Sequence, residues 1–213
     1  MRIMDAAAAV EFVQSGNRVY VHEAAMVPTT LLDALVERAP ELRDVEIVHI
    51  HTEAPAPYVA PEMEGHLRHN ALFIGANVRA AVNEGRADYT PVFLSEIPAL
   101  IADGTLPIDV AFIQVSPPDR HGYCRLGTSV ACARAAVDHA RIVIAEFNPR
   151  VPRTLGNSAV HVSRITAAVE VDRPLPSHPV RPFGPIEQAI GEHVAALVPN
   201  GATLQMGIGT IPN

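Results

Sequence analysis

Five stretches of this sequence carry residue types that could do chemistry. The first is MGIGTIP, residues 206–212, a Gly-x-Gly turn after apolar residues. Glycines there let backbone N–H groups approach a phosphate or a developing oxyanion, or they simply allow a tight strand-to-helix turn. A lone Gly-x-Gly favours the turn, and no third glycine completes a dinucleotide fingerprint. The second, SPPDRHGYCRLG (116–127), brings Ser116, Asp119 and His121 close together. Without a strained Gly-x-Ser-x-Gly elbow, such neighbours read better as turn-shaping groups than as a triad. The third, EFNPRVPRTLGNSAVHVS (146–163), offers Arg150 and Arg153 either to an anionic ligand or to solvent. The fourth, VHIHTE, puts His49 and His51 on one face of an expected strand, with Glu53 beyond. That is metal-ligand spacing without the rest of a ligand set, so no metal is expected. The fifth is the pair Cys124 and Cys132, which read as packing residues, not nucleophiles.

The elements that must position these residues alternate. A helix over residues 5–14 closes at Gly16, and RVYVH (18–22) is a strand. TTLLDALVERA (29–39) is a helix with a threonine cap, and VEIVHI (45–50) is a strand. A proline-rich loop follows, then strand-like ALFIG (71–75) and the short helix NVRAAVNEG, stopped by Gly85; HLRH, with His66 and His69, has no clear assignment. SEIPALIADG is helical, DVAFIQVS (109–116) a buried strand, SVACARAAVDHA a helix and RIVIAEF (141–147) a strand. PIEQAIGEHVAALVPNG is a last long helix that feeds a short strand in ATLQMGIG. Such alternation predicts an α/β fold, an open, largely parallel sheet with flanking helices. Residues 8–28 and 191–212 share a plan of helix, glycine cap, short strand, loop and proline, with twelve positions from Gly16 to Pro28 and eleven from Gly201 to Pro212. The echo reads as the openings of two related units. The first has no glycine turn in VHEAAMVP.

Composition narrows the function classes. With 213 residues, 48% of them hydrophobic, the chain can bury a substantial core. A net charge of −7 without a basic cluster argues against nucleic acid. All sixteen basic residues are arginine, which removes lysine Schiff-base chemistry and the P-loop lysine. No apolar run reaches membrane-span length, and the N-terminus, interrupted by Asp5 and Glu11, does not read as a secretion signal. Two cysteines fit a reducing compartment, so a cytoplasmic location is expected.

In series the motifs are specific. Residues 73–98 (FIGANVRAAVNEGRADYTPVFLSEIP), 109–130 (DVAFIQVSPPDRHGYCRLGTSV), 145–165 (AEFNPRVPRTLGNSAVHVSRI) and 204–213 (LQMGIGTIPN) together resemble the acetyl-CoA hydrolase/transferase family of class I CoA-transferases. The nearest look is to its 4-hydroxybutyrate CoA-transferases. The resemblance implies two similar α/β halves, here residues 1–185 and the opening of a second half at 186–213. It implies coenzyme A as substrate, an acyl-CoA and a small carboxylic acid as partners, and a glutamyl-CoA thioester intermediate. Gly207, Ile208, Gly209, Thr210 and Ile211 would line the CoA pocket, with the Ile208 N–H as an oxyanion donor. The family's catalytic glutamate lies beyond the position of Asn213, so the chain reads as an N-terminal half, inert alone; neither Glu96 nor Glu146 fills that role. The same scaffold could hydrolyse acyl-CoA, or act as a CoA-binding or assembly module completed by a second chain. A nucleotide-binding oxidoreductase is a more distant alternative. Acyl selectivity and oligomeric state stay open, a homo-oligomer among the possibilities. Lacking its other half, the chain is expected to expose apolar surface and to be sticky or marginally stable.

Overall fold

A computed structural model describes residues 1–177, 182–207, 209 and 211. They form two compact units, Met1–Pro176 and Ser177–Asn213.

The first unit is built on one eight-stranded, wholly parallel sheet. Its strands are β1 (Arg2–Ile3), β2 (Arg18–Val21), β3 (Val45–His49), β4 (Leu67–Ala71), β5 (Asp88–Tyr89), β6 (Val110–Val115), β8 (Ile142–Phe147) and β10 (Ala167–Glu170). They lie in the order β1-β10-β8-β6-β2-β3-β4-β5. The two remaining strands, β7 (Tyr123–Arg125) and β9 (Ala159–His161), form a small antiparallel ribbon. Helices cover both faces, as a parallel sheet requires. Against one face pack α1 (Ala6–Val10) and α2 (Thr29–Arg38), which bury Val10, Leu31 and Leu35 on Val19, Ile47, Phe112 and Ile144. Against the other pack α4 (Ile97–Ala102) and α5 (Ala133–His139), with Ile97, Ile101, Ala136 and Val137 on Ala111, Ile113 and Ala145. The short helix α3 (Arg79–Asn83) lies between β4 and β5 in sequence and buries Ala81.

Three elements differ from the sequence reading. The helix α2 has no threonine cap: Pro28 holds the cap position, Thr29 is already helical, and the first turn is capped instead by a carboxylate from the sheet, Glu146. The strand expected over ALFIG lies upstream, over LRHNA. Register with β3 pairs Val45 with Leu67 and His49 with Ala71, so the sheet takes the polar-looking segment. His69 is buried there and Asn70 donates to Glu46 at 2.9 Å, which hides that polarity. The first helix ends at Val10 instead of Gln14, because the Asn17 side chain takes the Gln14 N–H and Gly16 turns the chain at φ +76°.

In the second unit, α6 (Pro185–Ala195) begins with a proline at its first turn and with Glu187 accepting from the Gly184 N–H at 3.0 Å. None of the helix residues is buried. The short strand expected at 202–207 does not form; a strand needs a paired neighbour, and these residues have none among those described.

Candidate functional site

The order of the sheet marks where a site can form. From β2 the chain steps outward through β3, β4 and β5, then returns to the other side of β2 with β6 and proceeds to β8 and β10. The carboxyl ends of β2 and β6 therefore flank the topological switch point, where open parallel sheets bind ligands. The residues leaving those strands are His22 and Glu23 after β2, and Gln114 and Ser116 at the end of β6. Glu146 and Asn148 stand at the adjoining end of β8. All six are buried.

Five of them are organised as two hydrogen-bonded groups, while Ser116 bonds to Arg125. Glu23 accepts from the Tyr20 hydroxyl, from Ser129 Oγ at 2.9 Å and from the Cys132 N–H at 3.3 Å. Burial, then the Glu23 charge, holds the Tyr20 phenol well above its ordinary range, so it stays a donor. Beside it, His22 Nδ1 accepts from the Gln114 N–H at 3.2 Å, which leaves Nε2 to donate to the Ser129 carbonyl at 2.9 Å. These bonds orient the ring and pin the loop that runs from β7 to α5. Only partly buried Ser129 brings this network toward solvent.

The second group fastens α2. Glu146 Oε1 accepts from the Leu31 N–H at 2.9 Å, while Oε2 meets Arg173 at 2.9 Å. Burial pushes this carboxyl up, opposed by Arg173 and the N–H groups of Leu31 and Thr30. Arg173 also donates to the Val27 carbonyl at 2.7 Å, closing the entry to the helix. Asn148 donates to Gln114 Oε1 and to the Arg173 carbonyl, each at 2.8 Å. Glu146 is thus committed to holding structure.

Two backbone features shape the crevice. Ala24 adopts φ +55°, a left-handed conformation that costs a non-glycine residue about 1 kcal/mol or more. It is held by an N–H donated to the His51 carbonyl at 2.8 Å and a carbonyl accepting from Glu53 at 3.2 Å. Gly127 has φ +69°, and a Cβ there would lie 2.7 Å from both Met26 Sδ and Val151 Cγ1. Gly127→Ala is therefore expected to cost about 2–4 kcal/mol, the sum of backbone strain and overpacking. A urea melt checks it; a loss below about 1 kcal/mol would mean that the loop does not pack on Met26 as described.

The residues singled out in sequence fare differently. Ser116 Oγ accepts from the Arg125 N–H at 3.0 Å, and Asp119 accepts from the N–H groups of His121 at 2.9 Å and Tyr123 at 3.0 Å. They shape a turn, and those bonds hold the Asp119 carboxyl below its ordinary range. Arg150 pairs with Asp172 at 2.6 Å, and exposed Arg153 lies 3.8 Å from Asp119. His49 is buried while His51, beyond the end of β3, is half-exposed and 3.5 Å from Glu53; the two do not share one strand face. Among the described residues no group of three His, Cys, Asp or Glu side chains could hold a metal. Burial pushes the thiols of Cys124 and Cys132 up to about 12, so both are inert at neutral pH. Exposed Glu96 accepts from the Phe93 N–H at 3.3 Å. In the second unit, Gly207 has open space around it, Gly209 has φ +134° and Ile211 is exposed, while Ile208 and Thr210 lie outside the described residues.

Sequence reasoning missed His22, Glu23, Ser129 and Arg173. A signal existed for the first two: adjacent ionisable residues directly after the apolar strand RVYV. Ser129 and Arg173 join the site only through the fold.

Comparison with known proteins places these features in context. Residues 1–179 match the model of the acetyl-CoA hydrolase/transferase N-terminal domain. The chain is 45% identical, over its whole length, to 49% of a 4-hydroxybutyrate coenzyme A transferase from Clostridium kluyveri. The structure of RipA from Yersinia pestis matches 99% of the chain with 52% of its own, at a TM-score of 0.92 and 31% identity. A 4-hydroxybutyrate CoA-transferase from Porphyromonas gingivalis matches 99% of the chain with 49% of its own, at a TM-score of 0.83 and 32% identity. The chain spans about half the length of the curated relatives it matches. No helix among the described residues is long and apolar enough to cross a membrane.

Proposed function

The chain belongs to the acetyl-CoA hydrolase/transferase family through its N-terminal domain, and from that premise we propose that it forms one half of a CoA-transferase. The complete enzyme moves CoA between an acyl-CoA and a free carboxylate such as acetate or 4-hydroxybutyrate. In this reading residues 1–185 are the first α/β half and residues 186–213 open the second. The nucleophile is a glutamate of that second half, outside these residues. Its carboxylate attacks the thioester carbonyl, and CoA leaves as a thiolate with an acyl-glutamyl anhydride left behind. The thiolate then attacks the glutamyl carbonyl and releases the first acid, giving a glutamyl-CoA thioester. The acceptor carboxylate repeats the two steps in reverse and regenerates the glutamate.

Each tetrahedral oxyanion needs a fixed N–H donor, for which the Ile208 N–H is our candidate. Gly207, Gly209, Thr210 and Ile211 line the CoA pocket around it. The crevice at the carboxyl ends of β2 and β6 is the candidate ligand surface of the first unit. Its buried Glu23 and His22, with partly buried Ser129, hold the loop at 126–132 rigid while the ligand changes.

The observation that carries this reading is the full-length match, at 45% identity, to about half of a CoA-transferase. The curated relatives are named as transferases, which favours an acceptor acid over water. The complete protein should therefore move label from acetate into acetyl-CoA and release little free CoA when no acceptor is present. Rapid release of CoA without an acceptor, and no label transfer, would make it a hydrolase instead.

A further inference from the structure

His49 and His69 belong to neither hydrogen-bonded group at the switch point. Both are fully buried, and their rings stack with centroids 4.2 Å apart at an interplanar angle of 26°. His69 Nδ1 lies 2.9 Å from the Ile47 carbonyl, which can only accept, so this nitrogen carries the proton and Nε2 is a bare lone pair. That Nε2 has no hydrogen-bond partner. His49 Nε2 shares a hydrogen bond with the Tyr58 hydroxyl at 2.7 Å, and Tyr58 stands edge-on to both imidazoles. Near-parallel rings do not converge two in-plane lone pairs on one ion, so the pair is a poor metal site. What it can do is resist protonation. A proton on His69 Nε2 would create a buried cation with an unsatisfied donor, packed on a second imidazole.

We propose that the stacked His49–His69 pair is an acid-sensitive latch that holds the segment 50–63 against the sheet. Tyr58 is the bolt of this latch. The same segment is tied at Thr52, whose carbonyl and Oγ1 accept from Asn77 at 3.2 and 3.0 Å and which bridges to Ala24 at the switch-point crevice. Releasing it removes one side of the support for the left-handed Ala24. The inference stands apart from the reaction proposed above.

The groups facing the pair are Tyr58 from the 57–59 turn, Glu46 and His51 from β3 and its exit, and Asp88 from β5. Burial dominates them. It lowers His69 to about 4 against the Ile47 carbonyl, Glu46 and Asp88, which pull upward. It lowers His49 well below 6.5, helped by His69 and His51 and only partly opposed by the Ile50 backbone. Neutral imidazoles favour the closed segment. The closed state is therefore fully stable above about pH 6.5 and weakens as pH falls from there toward 4. At pH 5 an opened imidazole with its ordinary pKa is about 30-fold more protonated than neutral, so His69 alone raises the opening equilibrium about 30-fold, and His49 acts in the same direction.

Hydrogen–deuterium exchange of the protein at pH 7.5 and pH 5, corrected for intrinsic rates, tests this. Peptides within 50–63 should open about 30-fold or more readily at pH 5, while β6 and β8 keep their protection. His69→Gln should remove about one 30-fold factor from that dependence. In case the variant does not fold, the imidazole signals of the unaltered protein give a second readout: His69 should titrate near pH 4 and His49 well below 6.5. Unchanged protection of 50–63 at pH 5, or titration of both rings near 6.5, would overturn the latch.

Discussion

Glu146→Ala is expected to lower the stability of the first unit by about 3–5 kcal/mol and its melting temperature by roughly 10 °C. The carboxylate is fully buried, and its two oxygens hold the Leu31 N–H and the Arg173 guanidinium. Removing it leaves a partly buried cation beside an uncapped helix terminus, a cost well above that of an exposed ion pair. Arg173→Ala should cost nearly as much, since it strands the carboxylate. The double replacement Glu146→Leu with Arg173→Met should recover part of the loss, because apolar pairs often substitute well for buried ions. Thermal melts of all three give the comparison. Additive losses in the double variant would mean that the two side chains do not act as one clamp.

Glu23→Ala is the second large effect. Three donors, the Tyr20 hydroxyl, Ser129 Oγ and the Cys132 N–H, converge on this carboxylate. Each buried donor left without an acceptor costs about 1–3 kcal/mol, and Tyr20 is wholly out of reach of water, so a total of about 3 kcal/mol or more is expected. Tyr20→Phe removes one of these donors, so the pair Glu23→Ala with Tyr20→Phe should lose less than the sum of the single variants. Urea melts measure the coupling. If Glu23→Ala costs under about 1 kcal/mol, the network does not hold the 126–132 loop, and the support assigned to that wall of the crevice fails with it.

These two carboxylates show what could be read from the sequence and what could not. The alternation of apolar strands with amphipathic segments was enough for the parallel α/β architecture, since β2, β3, β6 and β8 all read as apolar runs ending at their observed positions or one residue beyond. The strand β4 escaped because its polar residues find partners across the sheet, His69 Nδ1 on the Ile47 carbonyl and Asn70 on Glu46. The cap of α2 escaped because it comes from Glu146, 115 residues away from Leu31. Local rules read neighbours in sequence, whereas these bonds close only when the sheet order is set. The site divides in the same way. Ser116 and Asp119 were legible as turn-formers because their partners are within nine residues. The Glu23–Ser129 bond spans 106 positions and has no local signature.

Phe73, Phe93 and Leu94 stand exposed in the first unit, 58%, 76% and 57% accessible, and are the side chains on which the expected stickiness of the chain would rest.

The central claim, made above as a proposal, is that the CoA-bearing carboxylate is not among these 213 residues. Intact-mass measurement after incubation with acetyl-CoA tests it most directly, made on the complete protein and on the 213-residue chain in parallel. The account predicts a CoA-sized adduct on the complete protein, removed by hydroxylamine, and none on the 213-residue chain. An adduct on Glu23, Glu146 or any other residue of this chain would contradict it, as would label exchange in the complete protein with no adduct formed.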